Sequence, residues 1–257
     1  MNFENNLVII ESPSKQYLSV ITKGQEFITN EGKIEFDNID KLPIKILSST
    51  GIEFTIYTPS YKDFVLLMKR GPQIIYPKDA GSIIVSANIN SHSRVLEIGT
   101  GSGALTLFIA TLLGPNSEFY SLDVSKKNQY RAGKTISRYL SNYSEEFIKK
   151  INFVNEDLST FSMKNISINF NSIITDVPEP WHFFDNNQIE DNLYWVSYLP
   201  SISQISKTKD TLEQNNFQHI EIKEVLEREW TVKGNISRPK HTMVGHTGFI
   251  ISGRFII

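Results

Sequence analysis

The chain has 257 residues, of which 40% are hydrophobic and 21% are charged, and its formal net charge is −2. This composition predicts an ordinary globular protein with a sizeable core, and the balanced charge gives no support to a general affinity for nucleic acid, although a net value hides local patches. The absence of cysteine excludes disulfides, cysteine-bound zinc and a thiol nucleophile.

The sequence shows no targeting or membrane segment. Its first residues lack a basic region followed by a long apolar run, which a secretory signal requires. The longest mostly apolar stretch, "ALTLFIATLLG", is much shorter than the roughly 20 residues of a membrane helix. We therefore expect a soluble, cytoplasmic protein.

The first part of the chain is rich in short β-type runs. Between residues 7 and 57 the sequence reads "LVIIE", "YLSVIT", "EFIT", "KIEF", "IKIL" and "EFTIY", separated by Gly, Asn, Asp and Pro. Closely spaced short strands predict a small all-β domain over residues 1–59. "SYKDFVLLMKRG" then has helical apolar spacing, so residues 60–92 are predicted to hold a linker helix and a connecting segment.

The pattern changes at residue 93. The strand-like runs "RVLEIG", "EFYSLDV", "INFVNED", "NSIITD" and "NLYWVSYLP" alternate in part with the helix-like runs "SGALTLFIATLLG", "KKNQYRAGKTISRYLSNY" and "ISQISKTKDTLEQNNF". "HIEIKEVLEREW" and "TGFIISGRFII" follow as two long strands, joined by the polar connection "SRPKHTMVGHTGF". Residues 93–257 therefore predict an α/β, doubly wound sheet that is parallel except for a terminal antiparallel hairpin.

A glycine-rich loop, "EIGTGSGAL", lies between the first strand and the first helix of this part. Gly99, Gly101 and Gly103 permit a tight turn and a close approach of a ligand to the backbone, next to the free N–H groups of a helix start. Two cofactors compete for such a loop, a dinucleotide and S-adenosylmethionine. The spacing differs from the G-x-G-x-x-G of dinucleotide-binding loops.

Acidic residues follow the next two strands. Asp123 ends the second strand, near the ~20-residue distance expected for a group that binds ribose hydroxyls, and Asp157 ends the third. This arrangement favours S-adenosylmethionine. The alternative is that both aspartates cap the elements that follow them.

The fourth strand ends in "TDVPEPW", residues 175–181. Pro178 and Pro180 cannot continue a strand ladder or enter a helix interior, so the loop is predicted to be rigid. It presents a carboxylate, Asp176, at the edge of the sheet where ligands bind in such folds. Trp181 is interpreted as a packing residue that braces this loop.

Five motifs occur together and in order: "GPQIIYPKDAG", "LEIGTGSGALT", "TDVPEPW", "PSISQ" and "MVGHTGF". In this combination the chain resembles the tRNA (adenine-N1)-methyltransferases that modify the T-loop, the TrmI family, from about residue 70 to its end. The resemblance implies a Rossmann-like class I methyltransferase with S-adenosylmethionine as cofactor and tRNA as partner. It also implies methylation of adenosine 58, in some members also 57, by a homotetramer.

The resemblance also assigns roles to individual residues. The glycine loop would hold the methionine part of the cofactor, Asp123 the ribose and Asp157 the adenine, while Asp176 matches the active-site aspartate. Gln73 and Tyr76 match a segment that closes over the cofactor and the target base. The full set of expected cofactor-binding residues is Gln73, Gly99, Gly101, Ser102, Gly103, Ala104, Leu105, Asp123, Asn128, Asp157, Leu158 and Asp176.

Three departures from the family pattern accompany this assignment. Asp123 stands where Glu is usual, and Asn128 stands where a basic residue is frequent, which weakens that contact. After Trp181 a polar "HFFDNNQIEDN" replaces the usual helix and its Pro-Gly-Gly exit, which puts the local shape of that wall in doubt.

The expected catalytic residues are Asp176, which would position the target adenine, and Tyr76, which would close its pocket. Gln204, Arg238 and His246 are further candidates for the substrate side, Arg238 through tRNA phosphates together with its basic neighbours. A solvated turn is the alternative for Arg238, and a structural role is the alternative for His246. No metal is expected.

Two other functions stay open at this stage. One is a non-catalytic tRNA-binding subunit, against which the intact glycine loop and Asp176 argue. The other is a methyltransferase of similar fold that acts on a protein or a small molecule, which the balanced charge mildly favours.

Overall fold

The computed structural model describes residues 3–68, 74–140 and 151–257. The chain forms two compact units, one of residues 1–71 and 133–148 and the other of residues 72–132 and 149–257. Within the described ranges no helix is long and apolar enough to cross a membrane.

The first unit contains the six predicted β-type runs, and each of them is a strand. The strands are β1 (Leu7–Glu11), β2 (Gln16–Val20), β3 (Glu26–Thr29), β4 (Gly32–Glu35), β5 (Ile44–Leu47) and β6 (Glu53–Tyr57). Four of them form an antiparallel sheet in the order β2-β1-β6-β5, and β3 pairs with β4. Apolar side chains such as Val8, Ile34 and Phe54 fill its core because alternate strand positions point inward.

The predicted linker helix is shorter than its pattern. Helix α1 (Tyr61–Leu67) begins with a capping box, in which Ser60 and Asp63 exchange side-chain and backbone hydrogen bonds. It ends at Leu67, whereas the prediction extended it to Gly71, and residues 69–71 lie outside the described part of the chain.

The second unit is built on a seven-stranded sheet in the order β12-β15-β11-β10-β7-β8-β9. Its strands are β7 (Arg94–Ile98), β8 (Glu118–Leu122), β9 (Ile151–Val154), β10 (Ser172–Thr175), β11 (Leu193–Leu199), β12 (Gln218–Glu224) and β15 (Phe249–Phe255). Strands β7 to β11 pair in parallel, and β15 lies antiparallel between β11 and β12. This confirms the predicted α/β fold with an antiparallel end.

In the described residues, three helices belong to this unit, α2 (Pro77–Ser86), α3 (Ala104–Leu112) and α5 (Ile202–Gln214), and a fourth, α4 (Lys126–Leu140), belongs to it up to Ala132. Three of them match predicted helices. Helix α2 was not predicted, although Pro77 at its first position is a recognised start signal.

The end of the second unit corrects one prediction. "HIEIKEVLEREW" is not a single strand, because β12 ends at Glu224 and a separate hairpin of β13 (Trp230–Lys233) and β14 (Ile236–Pro239) follows. Part of the predicted polar connection is therefore strand β14. The strand-like alternation of residues continues across the break after Glu224. Periodicity alone therefore does not reveal that β13 pairs with β14 and lies outside the seven-stranded sheet.

The described residues of this unit also form two short helical turns, Met163–Asn165 and Pro180–Asp185. The second one begins within "TDVPEPW" and leads into the polar segment that departs from the family pattern. Although the segment after Trp181 is rich in polar residues, it contributes two aromatic side chains to the core. Phe183 is fully buried and packs with Phe184 against Trp195.

Candidate active site

The glycine loop and the loop after β10 touch through their backbones. Gly99 donates from its amide to the carbonyl of Leu122 at 2.8 Å, and its φ of +101° lies in a region that side chains avoid. A Cβ at this position would stand 2.4 Å from the carbonyl oxygen of Asp176. Only glycine therefore allows the end of β7 and the end of β10 to approach this closely.

Gly103 provides a second close approach, on the helix side of the loop. Its φ is +80°, and an added Cβ would lie 2.8 Å from the Cβ of Ala132 in α4. Ser102 accepts from the amide of Ala104 at 3.3 Å, and Leu105 is buried in the first turn of α3. The loop thus leads directly into a helix start that packs against α4.

Asp123 binds the glycine loop. One carboxylate oxygen accepts from the amide of Gly101 at 3.0 Å, and the other accepts from the amide of Ser125 at 2.7 Å. The residue is 8% exposed. Its side chain therefore both caps the turn after β8 and orders the loop, and each carboxylate oxygen retains capacity for a further donor.

Asp157 is exposed and lies in the loop that follows β9. Its Oδ1 accepts from the amide of Ser159 at 2.8 Å and from the hydroxyl of Ser159 at 2.7 Å. These hydrogen bonds, the side-chain one foremost, lower the pKa of the carboxyl group. Asp157 therefore caps the turn that follows it, as the alternative prediction held, and it also lines a cavity.

That cavity has a volume of about 470 Å³, in the range of small-molecule sites. It lies at the carboxyl ends of β7, β8 and β10. Its walls bring together predicted residues from three separate motifs. The lining residues are Ile98, Gly99, Leu122, Asp123, Val124, Glu156, Asp157, Leu158, Ser159, Asp176, Val177, Pro178, Glu179 and His182.

The cavity fits S-adenosylmethionine in two physical respects. Acidic side chains from Asp123, Asp157 and Asp176 surround it, which suits a ligand that carries ribose hydroxyls, an amino group and a positive charge. Gly99 lines the cavity with backbone atoms alone, since it carries no side chain. These residues would hold the cofactor at the edge of the sheet.

Asp176 is the central group of the site. Its amide donates to the carbonyl of Ile98 at 2.8 Å, which continues the β7–β10 pairing one step beyond the strand. Burial raises the pKa of its carboxyl group to about 7, although part of the residue reaches solvent. Near neutral pH this carboxyl group is therefore poised between its protonated and charged forms.

A second, smaller cavity of about 260 Å³ adjoins the first. The two share Asp176, Val177 and Pro178, so the aspartate stands at their junction. Its lining residues are Ile74, Ile75, Asp176, Val177, Pro178, Tyr198, Pro200, Gln204 and Thr247.

Gln204 belongs to this smaller cavity, on the first turn of α5. Its side-chain amide donates to the carbonyl of Pro178 at 2.9 Å, and its Oε1 accepts from Ser201 at 2.7 Å. Ser201 is also the N-cap of α5. The candidate residue is thus anchored between the helix start and the proline loop.

Tyr198 and Thr247 are site residues that the sequence analysis missed. Tyr198 is 6% exposed and Thr247 is 8% exposed, and both line the smaller cavity. Burial raises the pKa of the Tyr198 hydroxyl above its usual range, with a smaller contribution from the nearby Asp79 and Asp176. Thr247 lies within the quoted motif "MVGHTGF", and that motif was the available signal.

Glu97 is another missed group, beneath the glycine loop in β7. It is 1% exposed, and its Oε2 accepts from Thr106 at 2.7 Å and from Ser121 at 2.6 Å. Burial raises the pKa of this carboxyl group to about 8, and the charges of Asp176 and Asp123 add to the shift.

Several predicted residues in the described part of the chain line neither cavity, among them Gly101, Ser102, Gly103, Ala104 and Leu105 of the glycine loop. Tyr76 is half-buried and forms the N-cap of α2, one residue after the cavity-lining Ile75. Asn128 lies in the first turn of α4, where its amide contacts Ser125, and it is not among the lining residues. Gln73 lies outside the described residues. The roles of these residues, like those of the other candidates, stay predictions.

His246 and Arg238 have local partners. His246 contacts Glu224 through Nδ1 at 2.6 Å and the carbonyl of Pro200 through Nε2 at 3.2 Å, and its hydrogen bond to Glu224 raises its pKa. Arg238 lies on the exposed strand β14 and contacts His241. His246 thus joins the end of β12 to the residue after β11.

The indole ring of Trp181 makes a cation–π contact with Lys207. The ammonium of Lys207, on α5, stands 4.0 Å from the centre of the indole ring. This contact joins the short helix after "TDVPEPW" to α5, as expected of a residue that braces the loop. In the part of the chain that the structure describes, no group of three or more His, Asp or Glu side chains could hold a metal ion.

Comparison with known proteins agrees with this geometry. The profile of the family described as "tRNA methyltransferase complex GCD14 subunit" matches residues 56–236, more than half of the chain. The protein belongs to this family. The membership confirms the resemblance inferred from the motifs.

Two relatives of the GCD14-family chain match over nearly their whole lengths. One is the tRNA (adenine(57)-N(1)/adenine(58)-N(1))-methyltransferase TrmI of Methanocaldococcus jannaschii, 29% identical over 96% of this chain and 94% of its own. The other is the tRNA (adenine(58)-N(1))-methyltransferase TrmI of Thermus thermophilus, 25% identical over 99% of this chain and 98% of its own.

Two solved structures are similar as well. The tRNA (m1A58) methyltransferase TrmI of Aquifex aeolicus has a TM-score of 0.81 and 28% identity, covering 98% of both chains. A protein of Thermotoga maritima, titled a SAM-dependent O-methyltransferase, has a TM-score of 0.90 and 23% identity, covering 100% of this chain and 95% of its own. Because the identity to the Thermotoga maritima protein is only 23%, this similarity supports the fold alone. That fold is the class I methyltransferase fold predicted from the sequence.

Proposed function

We propose that the protein transfers a methyl group from S-adenosylmethionine to N1 of adenosine in the T-loop of tRNA, at position 58. One observation carries this proposal beyond the family membership. Asp176 stands at the junction of a larger cavity suited to the cofactor and a smaller cavity that extends toward Tyr198 and Gln204. A donor and an acceptor placed in these cavities would meet beside its carboxyl group.

The main task of the protein in this reaction is to position the methyl donor and adenine N1. Adenine N1 carries a lone pair at neutral pH, so no general base is needed, and the bound cofactor supplies a methyl group on a positively charged sulfur. Catalysis is then mainly positioning, to which a rigid proline loop is well suited. Pro178 holds that loop through its carbonyl contact with Gln204.

Asp176 has two tasks in this scheme. Its carboxylate accepts a hydrogen bond from the exocyclic amino group of the adenine, which orients N1. The product 1-methyladenine is cationic, so the negative charge of Asp176 also stabilises the charge that develops in the transition state. The second task requires the deprotonated form of the group, whose pKa is about 7.

The adenine must leave the tRNA stack to expose N1. The smaller cavity offers an aromatic wall, Tyr198, and the polar side chain of Gln204 to receive it. Tyr76 lies next to the cavity-lining Ile75 and is proposed to close the pocket after the base enters. Arg238, on the exposed strand β14, and His246, on the connection before β15, are proposed contacts for the tRNA itself.

The relatives support this substrate. The relative in Thermus thermophilus is named for adenine 58, and the one in Methanocaldococcus jannaschii is named for adenines 57 and 58. A further relative, in Candida albicans, is named the catalytic subunit of a tRNA (adenine(58)-N(1))-methyltransferase and is 25% identical over 91% of this chain. With the glycine loop and Asp176 in place, catalysis is favoured over a binding-only role.

We further propose that the protein acts in the cytoplasm as a homotetramer. The β13–β14 hairpin supports self-association because Trp230, Val232 and Ile236 are 59%, 73% and 59% exposed on it. Light scattering coupled to size exclusion tests the assembly, and a Val232→Lys variant should lower the measured mass.

The decisive experiment uses an unmodified tRNA transcript, labelled cofactor and nucleoside analysis. We expect 1-methyladenosine in the wild-type transcript and none when guanosine replaces adenosine 58. Modification that persists in that transcript at position 57 would assign the double specificity. Labelled protein without labelled tRNA would instead indicate a protein substrate, and tRNA binding without transfer would indicate a non-catalytic subunit.

A further inference from the structure

A buried ion pair stands directly behind the smaller cavity. Lys78 and Asp79 are the second and third residues of α2, and their side chains are 9% and 0% exposed. The ammonium of Lys78 donates to Asp79 Oδ1 at 2.8 Å, to the carbonyl of Val225 at 2.7 Å and to Thr247 Oγ1 at 2.7 Å. Three acceptors thus match its three hydrogens.

Asp79 closes the same network from its other oxygen. Its Oδ2 accepts from Thr247 Oγ1 at 2.8 Å and lies 3.5 Å from the hydroxyl of Tyr198. Gly248 then packs on the Tyr198 ring, because a Cβ there would lie 2.5 Å from its Cζ. The loop before β15 is therefore fixed both to the ion pair and to the tyrosine.

The network connects three chain segments that line or border the smaller cavity. It fixes the start of α2, which directly follows the lining residues Ile74 and Ile75. It holds the lining residue Thr247, and it contacts the lining residue Tyr198. The larger cavity contains none of the residues of this network.

Stability alone does not explain such a pair. Removing two charges from water is costly, and a buried ion pair is often no more stabilising than apolar side chains of similar size. What a charged, fully hydrogen-bonded pair adds is a unique geometry. Here that geometry is imposed on the walls of a pocket.

We infer that Lys78, Asp79 and Thr247 are positioning residues for the target base, which set the place of the Ile74–Tyr76 segment and of Tyr198 around the smaller cavity. This inference rests on the proposed function for the identity of the base. The positioning itself is a property of the protein alone.

Two variants of Thr247 test the role at one atom. Thr247→Val removes the hydroxyl that joins Lys78 to Asp79 and keeps the shape, whereas Thr247→Ser keeps the hydroxyl. We expect Thr247→Val to lower kcat on tRNA about 100-fold, the scale of a displacement of about 1 Å in a reactive geometry. We expect Thr247→Ser to restore kcat to within about threefold and the cofactor Kd to change less than about twofold in both.

A double substitution separates positioning from stability. Lys78→Met with Asp79→Leu replaces the ion pair by apolar side chains of similar size, so Tm should stay near the wild-type value while kcat stays low. Ser172→Ala is the matched control. It removes the buried 2.8 Å hydrogen bond from Ser172 to the carbonyl of Ala87 at the other end of α2. It should lower Tm without lowering kcat.

Hydrogen–deuterium exchange decides the role independently of turnover. In Thr247→Val, amides of the peptide 74–79 should exchange faster than in the wild type, and in Ser172→Ala they should not. Wild-type kcat in Thr247→Val or in the double variant, or unchanged exchange in Thr247→Val, would overturn the inference. A wild-type protein that forms no 1-methyladenosine rejects the proposed function instead, and the exchange result still stands.

Discussion

The side-chain amide of Gln204 donates a 2.9 Å hydrogen bond to the carbonyl oxygen of Pro178. Gln204 is itself held by Ser201, the N-cap of α5, at 2.7 Å. The loop that follows Asp176 is therefore tied to the start of a helix by a side chain whose orientation is already fixed. Two prolines limit the freedom of the loop from within, and Gln204 limits it from outside.

Gln204→Leu should loosen this loop while leaving the fold intact. A lost neutral hydrogen bond costs about 1 kcal/mol of stability, so we expect a small fall in Tm together with a decrease in kcat of roughly tenfold. Steady-state methylation of a tRNA transcript and thermal unfolding measure the two effects. Gln214→Leu makes the same change at the exposed end of α5 and should alter neither. Equal kcat values in the two variants would contradict the role given to Gln204.

The contact between Gly99 and Asp176 predicts a sharp difference between two glycines. Gly99→Ala would place a Cβ 2.4 Å from the Asp176 carbonyl oxygen at a φ of +101°. We expect a loss of roughly 3–5 kcal/mol in the free energy of unfolding. Gly101→Ala, at a φ of +53° with no heavy atom within 4 Å, should cost only about 1–2 kcal/mol. Urea denaturation of both variants checks the difference, and similar losses would show that the close approach is not what requires Gly99.

Local patterns predicted much of this molecule. The glycine loop, the strand before it and the aspartates after β8 and β10 were visible because each is encoded within a few neighbouring residues. Helix α2 was missed although Pro77 marked its start, because its apolar residues were read as part of a connecting segment. The break after Glu224 was missed since alternation continues across it.

The wall of the smaller cavity could not be predicted in this way. Tyr198 and Thr247 are far apart in sequence and meet because β15 inserts beside β11, with Tyr198 opposite Ile250. The position that β15 takes in the sheet depends on the packing of the whole sheet. No local sequence signal therefore predicts that Tyr198 and Thr247 come together. The partners of Lys78 depend on the same insertion, because Thr247 lies two residues before β15.

Asp176→Asn should separate binding from chemistry. The amide keeps the size of the side chain but loses the negative charge, so we expect kcat to fall about 10²–10³-fold, as for the loss of one preorganised electrostatic group. The Kd for tRNA should change little, and the Kd for the cofactor, whose positive charge Asp176 also faces, should rise far less than kcat falls. Asp210→Asn, an exposed substitution on α5 at a residue that lines neither cavity, serves as the control. Near-normal turnover of Asp176→Asn would remove the aspartate from the mechanism.

The same residue predicts a pH dependence. Burial raises the pKa of Asp176 to about 7, and the charged form is the active one. Because kcat/KM for the cofactor reports ionisations of the free enzyme, it should rise with pH and level off above about 7. Pre-steady-state or steady-state profiles between pH 5.5 and about 9 measure it. A flat profile would contradict the assignment.

Glu97 predicts a stability change of known sign. Its folded pKa of about 8 lies above the ordinary value of 4.5. The native state therefore binds more protons than the unfolded state between these limits, and stability should fall as pH rises through this window. Glu97→Gln mimics the protonated group, so it should remove the part of the decline that Glu97 causes and exceed the wild type above the window by at most about 5 kcal/mol. Asp176, whose pKa is also raised, keeps its own part of the decline below about pH 7. Asp157→Asn changes a carboxyl whose pKa is lowered, and should leave the decline in place. Denaturation across pH tests both variants, and a wild-type stability that does not fall toward alkaline pH would exclude a protonated Glu97.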